Sequence, residues 1–127
     1  MDKKAIETTS APKAIGPYSQ AIRAGGFLFV SGQVPLNPDT GKIVGDGIEE
    51  QTRQVLANLG AIFKAAGAGF EDVVKTTIFL TDLSHFGKVN EIYGSAFKPP
   101  FPARATIQVS ALPVGAKVEI EAVVKLR

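Results

Sequence analysis

The amino-acid sequence predicts one α+β domain in which two amphipathic helices cover one face of a mixed β-sheet. Two stretches carry apolar residues at helical spacing, and several shorter ones alternate apolar and polar residues or are rich in β-branched and aromatic residues. No linker, low-complexity segment or repeat divides the 127 residues, so we take residues 1–127 as a single domain. Hydrophobic residues make up 45% and charged residues 20%, as in ordinary globular proteins.

The first elements along the chain are predicted to be a β-hairpin. Residues 19–24 and 27–33 form its strands, because Gly25–Gly26 between them suits a tight turn. Residues 35–42 are rich in proline, aspartate and glycine, which indicates a turn cluster after the second strand.

A long helix follows, from about Glu49 to Ala66. Its apolar residues fall on one helical face: Val55, Leu56, Leu59, Ile62, Phe63 and Ala66. Asp46 with Glu49 resembles a capping box that begins the helix. Gly67 is well placed to end it.

The next elements are a buried strand and a second helix. Residues 73–80 are apolar and β-branched on both faces, which indicates a central strand. Residues 81–84 offer a helix cap, and the helix after them carries apolar residues on one side: Phe86, Val89, Ile92, Tyr93, Ala96 and Phe97. Residues 98–102 contain three prolines, which cannot continue a helix.

Two alternating strands end the chain, at residues 104–111 and 118–126, with residues 112–117 as their turn. The predicted order is roughly β-β-β-α-β-α-β-β, an α+β sandwich. Two helices cover only one face of such a sheet. The pattern places Arg104, Thr106 and Glu119 on the other, polar face. That face is either wet or buried against copies of itself, and the second possibility gives a ring oligomer with polar clefts between subunits.

Composition and charge exclude several kinds of site. The 14 basic residues are interleaved with 12 acidic ones, and only Lys3 and Lys4 are adjacent, which argues against a nucleic-acid-binding face. Without cysteine there is no disulfide, thiolate ligand or thiol nucleophile. The only histidine, His85, makes neither a triad nor a metal site, and we interpret it as a surface residue. Residues 1–12 lack an apolar signal region and no stretch approaches membrane-spanning length, so we expect a cytoplasmic protein.

Two charged residues are candidates for chemistry. Arg104 opens a strand, and its fork of donors suits a bidentate grip on a carboxylate; the alternative is an ordinary surface arginine. Glu119 is predicted on the same face, where it would position or activate a water. Its alternative is a structural ion pair with Arg104 or Lys117, and periodicity does not distinguish it from Glu121.

Three further residues are candidates for lining a ligand cleft. Tyr18, in a turn that enters a strand, offers a hydroxyl, or else it is an aromatic core residue with its hydroxyl bonded. Ser31 and Gly32 end a strand where a small ligand can approach backbone amides, although a bulge or bend explains the glycine equally well. These residues alone indicate only an anion-binding cleft.

The chain resembles the RidA (YjgF-type) family over essentially its whole length. The resemblance rests on several segments in order and at family spacing: residues 11–12, 15–21, 30–33, 51–56 with Asn58, 72–77, 101–104 and 119–122. It implies a chorismate-mutase-like α+β fold, a homotrimer with a central β-barrel, and sites between subunits. It also implies hydrolysis of 2-iminopropanoate and 2-iminobutanoate, released by pyridoxal-phosphate dehydratases, without a metal or cofactor.

The resemblance assigns roles to individual residues. Arg104 would clamp the substrate carboxylate, and Glu119 would orient the hydrolytic water. The cleft would be lined by Tyr18, Ser31 and Gly32, together with Phe86 and Asn90. Many relatives have a cysteine two residues after the arginine, where this chain has Thr106; water is then the nucleophile, and the threonine can still contact the imine.

Two other functions remain open from the sequence. One is a ribonuclease or translation inhibitor, since such activities are attributed to some relatives. It would need a basic RNA-binding surface, which the sequence does not show clearly. The other is a non-catalytic or chaperone-like module that binds small carboxylates, which would use the same arginine.

Overall fold

The computed structural model describes residues 2–127 and confirms an α+β fold, with both helices on one face of a six-stranded mixed sheet. The elements are β1 (Lys4–Ile6), β2 (Ala21–Ala24), β3 (Phe27–Gln33), α1 (Ile48–Ala65), β4 (Val73–Leu80), α2 (Phe86–Ala96), β5 (Ala103–Gln108) and β6 (Val118–Lys125). The sheet order is β1-β2-β3-β6-β4-β5. The predicted order of elements is confirmed, although the first strand itself was not located from the sequence.

The core lies between the sheet and the two helices. The predicted stripe of α1 is buried, and Leu59 and Ile62 are fully enclosed. They share one hydrophobic core with Leu28, Ile120 and Val124 from the central strands. The burial of one face of β6 in strict alternation confirms the period-two pattern.

The ends of α1 are set by glycines. Gly67 follows the helix with a φ of +77°, a left-handed conformation that favours glycine, so the predicted end is confirmed. The predicted capping box is wrong by one residue. Gly47 occupies the cap, and its N–H donates to the Glu50 carboxylate at 3.0 Å, because the first helical residue is Ile48 and the capping pair lies one residue beyond Asp46 and Glu49.

The last two strands do not form the predicted hairpin. β5 is an edge strand that pairs in parallel with β4, and β6 lies between β3 and β4. The cause is the β4–α2–β5 crossover, since a helical connection returns the chain beside the same strand in the same direction. Residues 112–117, predicted as a turn, instead carry the chain from the edge of the sheet to its centre, with a 3₁₀ turn at Pro113–Gly115.

Parallel pairing also changes the face on which Arg104 and Thr106 lie. Arg104 is in register with Thr76, whose side chain is buried under α2, and Thr106 has the same orientation two residues later. Glu119 is in register with Phe79 and points away from the helices. The predicted common face is therefore wrong, because β5 is paired with β4 rather than with β6.

Buried amide side chains tie the loops to this framework. Gln20 is 4% exposed and makes four hydrogen bonds to the backbone of the N-terminal segment. Its amide donates to the carbonyls of Thr8, Ala11 and Pro12, and its oxygen accepts from the Thr8 N–H. Gln20 thus holds residues 8–12 against β2.

Replacing Gln20 by leucine is expected to destabilise the protein by about 3 kcal/mol, because it leaves several backbone groups without partners. The measurement is the urea unfolding midpoint at fixed protein concentration. Gln54→Leu is the control, since within residues 2–127 the Gln54 side chain makes one hydrogen bond, to Asn58 at 2.8 Å. Equal losses in the two variants would contradict this role of Gln20.

Neither helix within residues 2–127 combines the length and the apolar character that crossing a membrane requires.

Candidate functional site

Arg104 lies at the edge of the sheet, beside α2. Its Nη1 donates to Oδ1 of Asn90 at 2.7 Å. The guanidinium carbon lies 5.0 Å from the ring centroid of Tyr93 and 5.5 Å from that of Phe86, which is within cation–π range. The three α2 residues are spaced by four and three positions, so they share one helical face.

The cation of Arg104 is not neutralised within the protomer. Across residues 2–127, none of the ion pairs involves Arg104, and its side chain is exposed. Aromatic faces and an amide oxygen orient a guanidinium without cancelling its charge. Donors of the fork therefore remain free for an anionic ligand.

Thr106 and His85 place further polar atoms in this region. Thr106 follows Arg104 on the same face of β5, and Oγ1 of Thr106 is buried without a hydrogen-bond partner in the described chain. Nδ1 of His85, directly before α2, is also buried and without a partner there. The interpretation of His85 as a surface residue is wrong to that extent, because the residue is half-buried and this ring nitrogen is shielded from solvent. We call Phe86, Asn90, Arg104 and Thr106 the arginine half-site.

A second group of predicted residues meets on the open face of the sheet. Glu119 lies across Gly32, where a Cβ on the glycine would overlap the carboxylate. Ser31 precedes Gly32, and its hydroxyl donates to the carbonyl oxygen of Ser19 at 2.6 Å. The pairing of β3 with β6 shifts register between Val30 and Gln33, which agrees with the bulge or bend given as the alternative explanation of the glycine. We call Ser31, Gly32 and Glu119 the glutamate half-site.

The structure distinguishes Glu119 from Glu121. Glu119 is partly buried against Gly32, whereas Glu121, on the same face, is exposed. Neither forms an ion pair within residues 2–127, so the alternative of a structural ion pair of Glu119 with Arg104 or Lys117 is wrong. Lys117 instead donates from Nζ to the carbonyl oxygen of Asp46. Burial, and to a lesser degree the charge of Glu121, raises the pKa of Glu119.

Removing the charge of Glu121 is expected to shift the pH dependence of any reaction that uses ionised Glu119. A general base is lost as the pH falls through its pKa, and Glu121 is one cause of the raised pKa of Glu119. In Glu121→Gln, the acid limb of the kcat/KM profile should therefore move to lower pH. An unchanged limb, or one displaced to higher pH, would contradict this account; the uncatalysed rate is subtracted at every pH.

We expect Gly32 to be required because it leaves space for the Glu119 carboxylate, and not because its backbone conformation demands glycine. In Gly32→Ala the methyl group displaces the flexible end of Glu119, so activity should fall about tenfold or more while stability changes by less than about 1 kcal/mol. Gly87→Ala is a suitable control, because a Cβ at Gly87 meets nothing within 4 Å. Full activity in Gly32→Ala would show that the carboxylate position is unimportant.

Tyr18 lies near the glutamate half-site in the chain. It precedes Ser19, whose carbonyl oxygen accepts the Ser31 hydroxyl. Tyr18 is 53% exposed, so the alternative of a core aromatic residue is wrong. Its ring and hydroxyl are available to a ligand or to another subunit.

One protomer does not bring the two half-sites together. Arg104 lies on the helix side of the sheet and Glu119 on the opposite side. The open face also carries apolar side chains that no helix covers, including Phe29 and Ile107, which are 48% and 47% exposed. Uncovered apolar surface of this kind is typical of an interface.

Two residues beside Arg104 were not singled out from the sequence. The sequence predicts Tyr93 only as part of the apolar side of the second helix, and Thr76 only as part of a central strand. The spacing of Phe86, Asn90 and Tyr93 is the signal that places all three on one helical face. Their contact with Arg104 depends on the parallel register of β5, which the sequence reading missed.

Comparison with known proteins gives consistent matches along the chain. Residues 8–126 match the sequence model of a family described as endoribonuclease L-PSP. Reactive Intermediate Deaminase A, chloroplastic, from Arabidopsis thaliana is 54% identical over 124 residues, which cover 98% of this chain and 66% of that protein. The 2-iminobutanoate/2-iminopropanoate deaminase of Mus musculus is 54% identical over 121 residues, covering 95% of this chain and 90% of that protein.

The solved structures include one very similar chain. It belongs to YyfA from Yersinia pestis, described as a protein of unknown function of the conserved Rid protein family. The two chains are 54% identical and have a TM-score of 0.96, and the match covers 98% of this chain and 100% of that one.

Proposed function

Because this chain belongs to the RidA (YjgF-type) family, we propose that it is a 2-imino acid deaminase, a hydrolase acting on C–N bonds. Its substrates are 2-iminopropanoate and 2-iminobutanoate, and its products are the 2-keto acids and ammonia. The observation that carries the proposal is the Arg104 fork, held by Asn90 and two aromatic rings with no acidic partner in residues 2–127. Such a fork binds a carboxylate, which every 2-imino acid carries.

The active unit is a homotrimer in which each site lies between two subunits. Support for this comes from the opposite faces on which Arg104 and Glu119 lie in one protomer. Packing the open faces around a central barrel buries their apolar residues and brings the arginine half-site of one subunit to the glutamate half-site of its neighbour. A cyclic assembly repeats this contact three times.

The reaction requires a correctly positioned substrate and one general base. Arg104 holds the substrate carboxylate, which places the electrophilic imine carbon beside a water bound to Glu119. The carboxylate of Glu119 takes a proton as the water oxygen bonds to that carbon. The nitrogen takes the C=N electron pair and a proton from solvent, which gives an amino alcohol. Glu119 then returns its proton to the amine, the C–N bond breaks, and ammonia leaves with the electron pair. The hydroxyl oxygen forms the C=O bond as it loses its proton to solvent. One water is consumed for each imine.

The remaining residues orient the substrate. Thr106 follows Arg104 on the same face of β5 and contacts the imine nitrogen through its backbone carbonyl oxygen, because its Oγ1 is enclosed within the protomer. Phe86 packs against the substrate side chain and Tyr18 closes the cleft. Ser31 and Gly32 complete the wall behind the Glu119 carboxylate.

The test generates 2-iminobutanoate in place with a threonine dehydratase, while semicarbazide competes for the imine. Release of 2-ketobutyrate is then followed with and without this protein. The proposal expects faster release and less semicarbazone. If the protein binds 2-ketobutyrate yet leaves the rate unchanged, it is the non-catalytic carboxylate-binding module that the sequence left open.

The ribonuclease alternative has weaker support, although the matching family model carries that description. Relatives at 54% identity have names that specify deamination, and the basic residues are dispersed along the chain. We expect no RNA binding at moderate salt; affinity that falls steeply as salt rises would revive the alternative.

The cytoplasmic location expected from the sequence remains a prediction. The Arabidopsis thaliana relative is named as chloroplastic, so the names of relatives do not support a cytoplasmic location.

A further inference from the structure

Arg104 ends a chain of aromatic contacts that runs through the helix layer. Phe63 packs edge-on against Phe70, with ring centroids 5.1 Å apart, and Phe70 packs in the same way on Phe97 at 5.2 Å. Phe97 lies 4.5 Å from Tyr93, whose other neighbour is the guanidinium of Arg104. The ring under the guanidinium is therefore fixed from behind by packed core residues.

The hydroxyl of Tyr93 fixes the same ring from the side of the sheet. It lies 2.7 Å from Oγ1 of Thr76, and both residues are buried, at 4% and 1% exposure. Thr76 is also the residue in register with Arg104 across the β4–β5 pair. Tyr93 therefore contacts both Thr76 and Arg104, and Thr76 is paired with Arg104 in the sheet, so the three residues form a closed circuit of contacts. The hydroxyl contact sets the position of the ring relative to the strand that carries the arginine.

From this circuit we infer that Tyr93 is a positioning residue for Arg104: its hydroxyl contact with Thr76 holds the aromatic ring on which the guanidinium rests, with the free donors facing the substrate carboxylate. The inference rests on the proposed function for the identity of the ligand. A guanidinium held in place before binding loses less rotational freedom when the carboxylate arrives. Tyr93 itself does not touch the substrate.

A catalytic role for the Tyr93 hydroxyl explains the arrangement less well than a positioning role does. Burial, as the largest cause, raises the pKa of Tyr93, while the hydrogen bond with Thr76 and the charge of Arg104 oppose this shift. The phenol is therefore neutral near pH 7, and its oxygen is already engaged inside the core. A positioning role requires only the contact of the ring with Arg104 and the hydrogen bond with Thr76, and the structure contains both.

The test compares two variants that remove one hydroxyl each, Tyr93→Phe and Thr76→Val. Both keep the core filled, and both should raise KM for 2-iminobutanoate and Kd for 2-ketobutyrate about threefold to tenfold, with kcat within about twofold of the wild type. In the double variant, KM and Kd should be no higher than in either single variant, because the two substitutions remove the same contact. The matched control is Thr52→Val, which removes the hydrogen bond of a fully buried threonine to the Ile48 carbonyl on α1.

A spectroscopic measurement separates this inference from the proposed function. The Nε–Hε resonance of Arg104 in the ¹⁵N spectrum, assigned through its loss in Arg104→Lys, reports the mobility of the guanidinium without turnover. The inference expects a rigid signal in the wild type and in Thr52→Val, and a mobile one in Tyr93→Phe and Thr76→Val. Rigid signals with unchanged Kd in those two variants would overturn it, as would a fall in kcat at constant KM. A wild type without imine hydrolysis would remove the proposed function and leave the mobility comparison decisive.

Discussion

Replacing Arg104 by alanine is expected to reduce kcat/KM for 2-iminobutanoate by about a hundredfold to a thousandfold, because a bidentate charged contact to the substrate carboxylate is lost. The fold should be retained. Arg104 lies on an exposed edge strand, and within residues 2–127 its side chain makes one hydrogen bond and two cation–π contacts, so the loss of stability should stay below about 1 kcal/mol.

Two further variants make this result specific. Arg104→Lys keeps the charge but loses the fork, and should recover only part of the activity. Arg23→Ala removes an exposed arginine from β2, away from both half-sites, and should behave like the wild type. The semicarbazide competition assay serves for all three. An Arg104→Ala variant with wild-type kcat/KM would show that the substrate carboxylate binds elsewhere.

Replacing Glu119 by glutamine is expected to lower kcat about a hundredfold with a small change in KM, because the amide binds a water but does not take its proton. Stability should be equal or slightly higher. The fold raises the pKa of Glu119, so it disfavours the carboxylate form, and an uncharged amide of the same shape relieves that cost. Thermal unfolding of both proteins at pH 7 checks this second expectation.

Glu121→Gln is the matched control, since Glu121 lies on the same face of β6 but is exposed and does not contact Gly32. Its kcat near neutral pH should remain close to that of the wild type. Equal losses of kcat in the two variants would mean that the open face needs negative charge in general. A loss of kcat in Glu121→Gln alone would show that Glu121, and not Glu119, is the general base.

Local patterns predicted most of the fold because each depends on a few neighbouring residues. The turn at Gly25–Gly26 has φ angles of +59° and +81°, as the hairpin signal requires, and the stripe of α1 is buried as predicted. Whether β5 pairs with β4 or with β6 is a long-range choice. Alternation along β5 is compatible with both, so the pattern alone did not decide it.

The candidate site shows the same division between local and long-range information. Residue chemistry identified Arg104 and Glu119 as the groups of interest, and the resemblance gave them roles. Their assignment to one face failed because it depended on the partner of β5. The role inferred for Tyr93 depends on the contact across the β4–β5 pair. In the sequence, Tyr93 belongs to an apolar helical stripe, and such a stripe has the same pattern whether or not one of its aromatic rings contacts a cation.

The central claim is that Arg104 of one subunit acts with Glu119 of its neighbour, and mixing two inactive variants tests it most directly. Arg104→Ala and Glu119→Gln proteins are unfolded together in equal amounts, refolded, and assayed beside each variant refolded alone. If the half-sites combine across subunits, about a quarter of the clefts in randomly mixed trimers contain both intact residues, so about a quarter of wild-type activity should return. If mass spectrometry shows mixed trimers and activity stays at the level of the single variants, the site between subunits is contradicted.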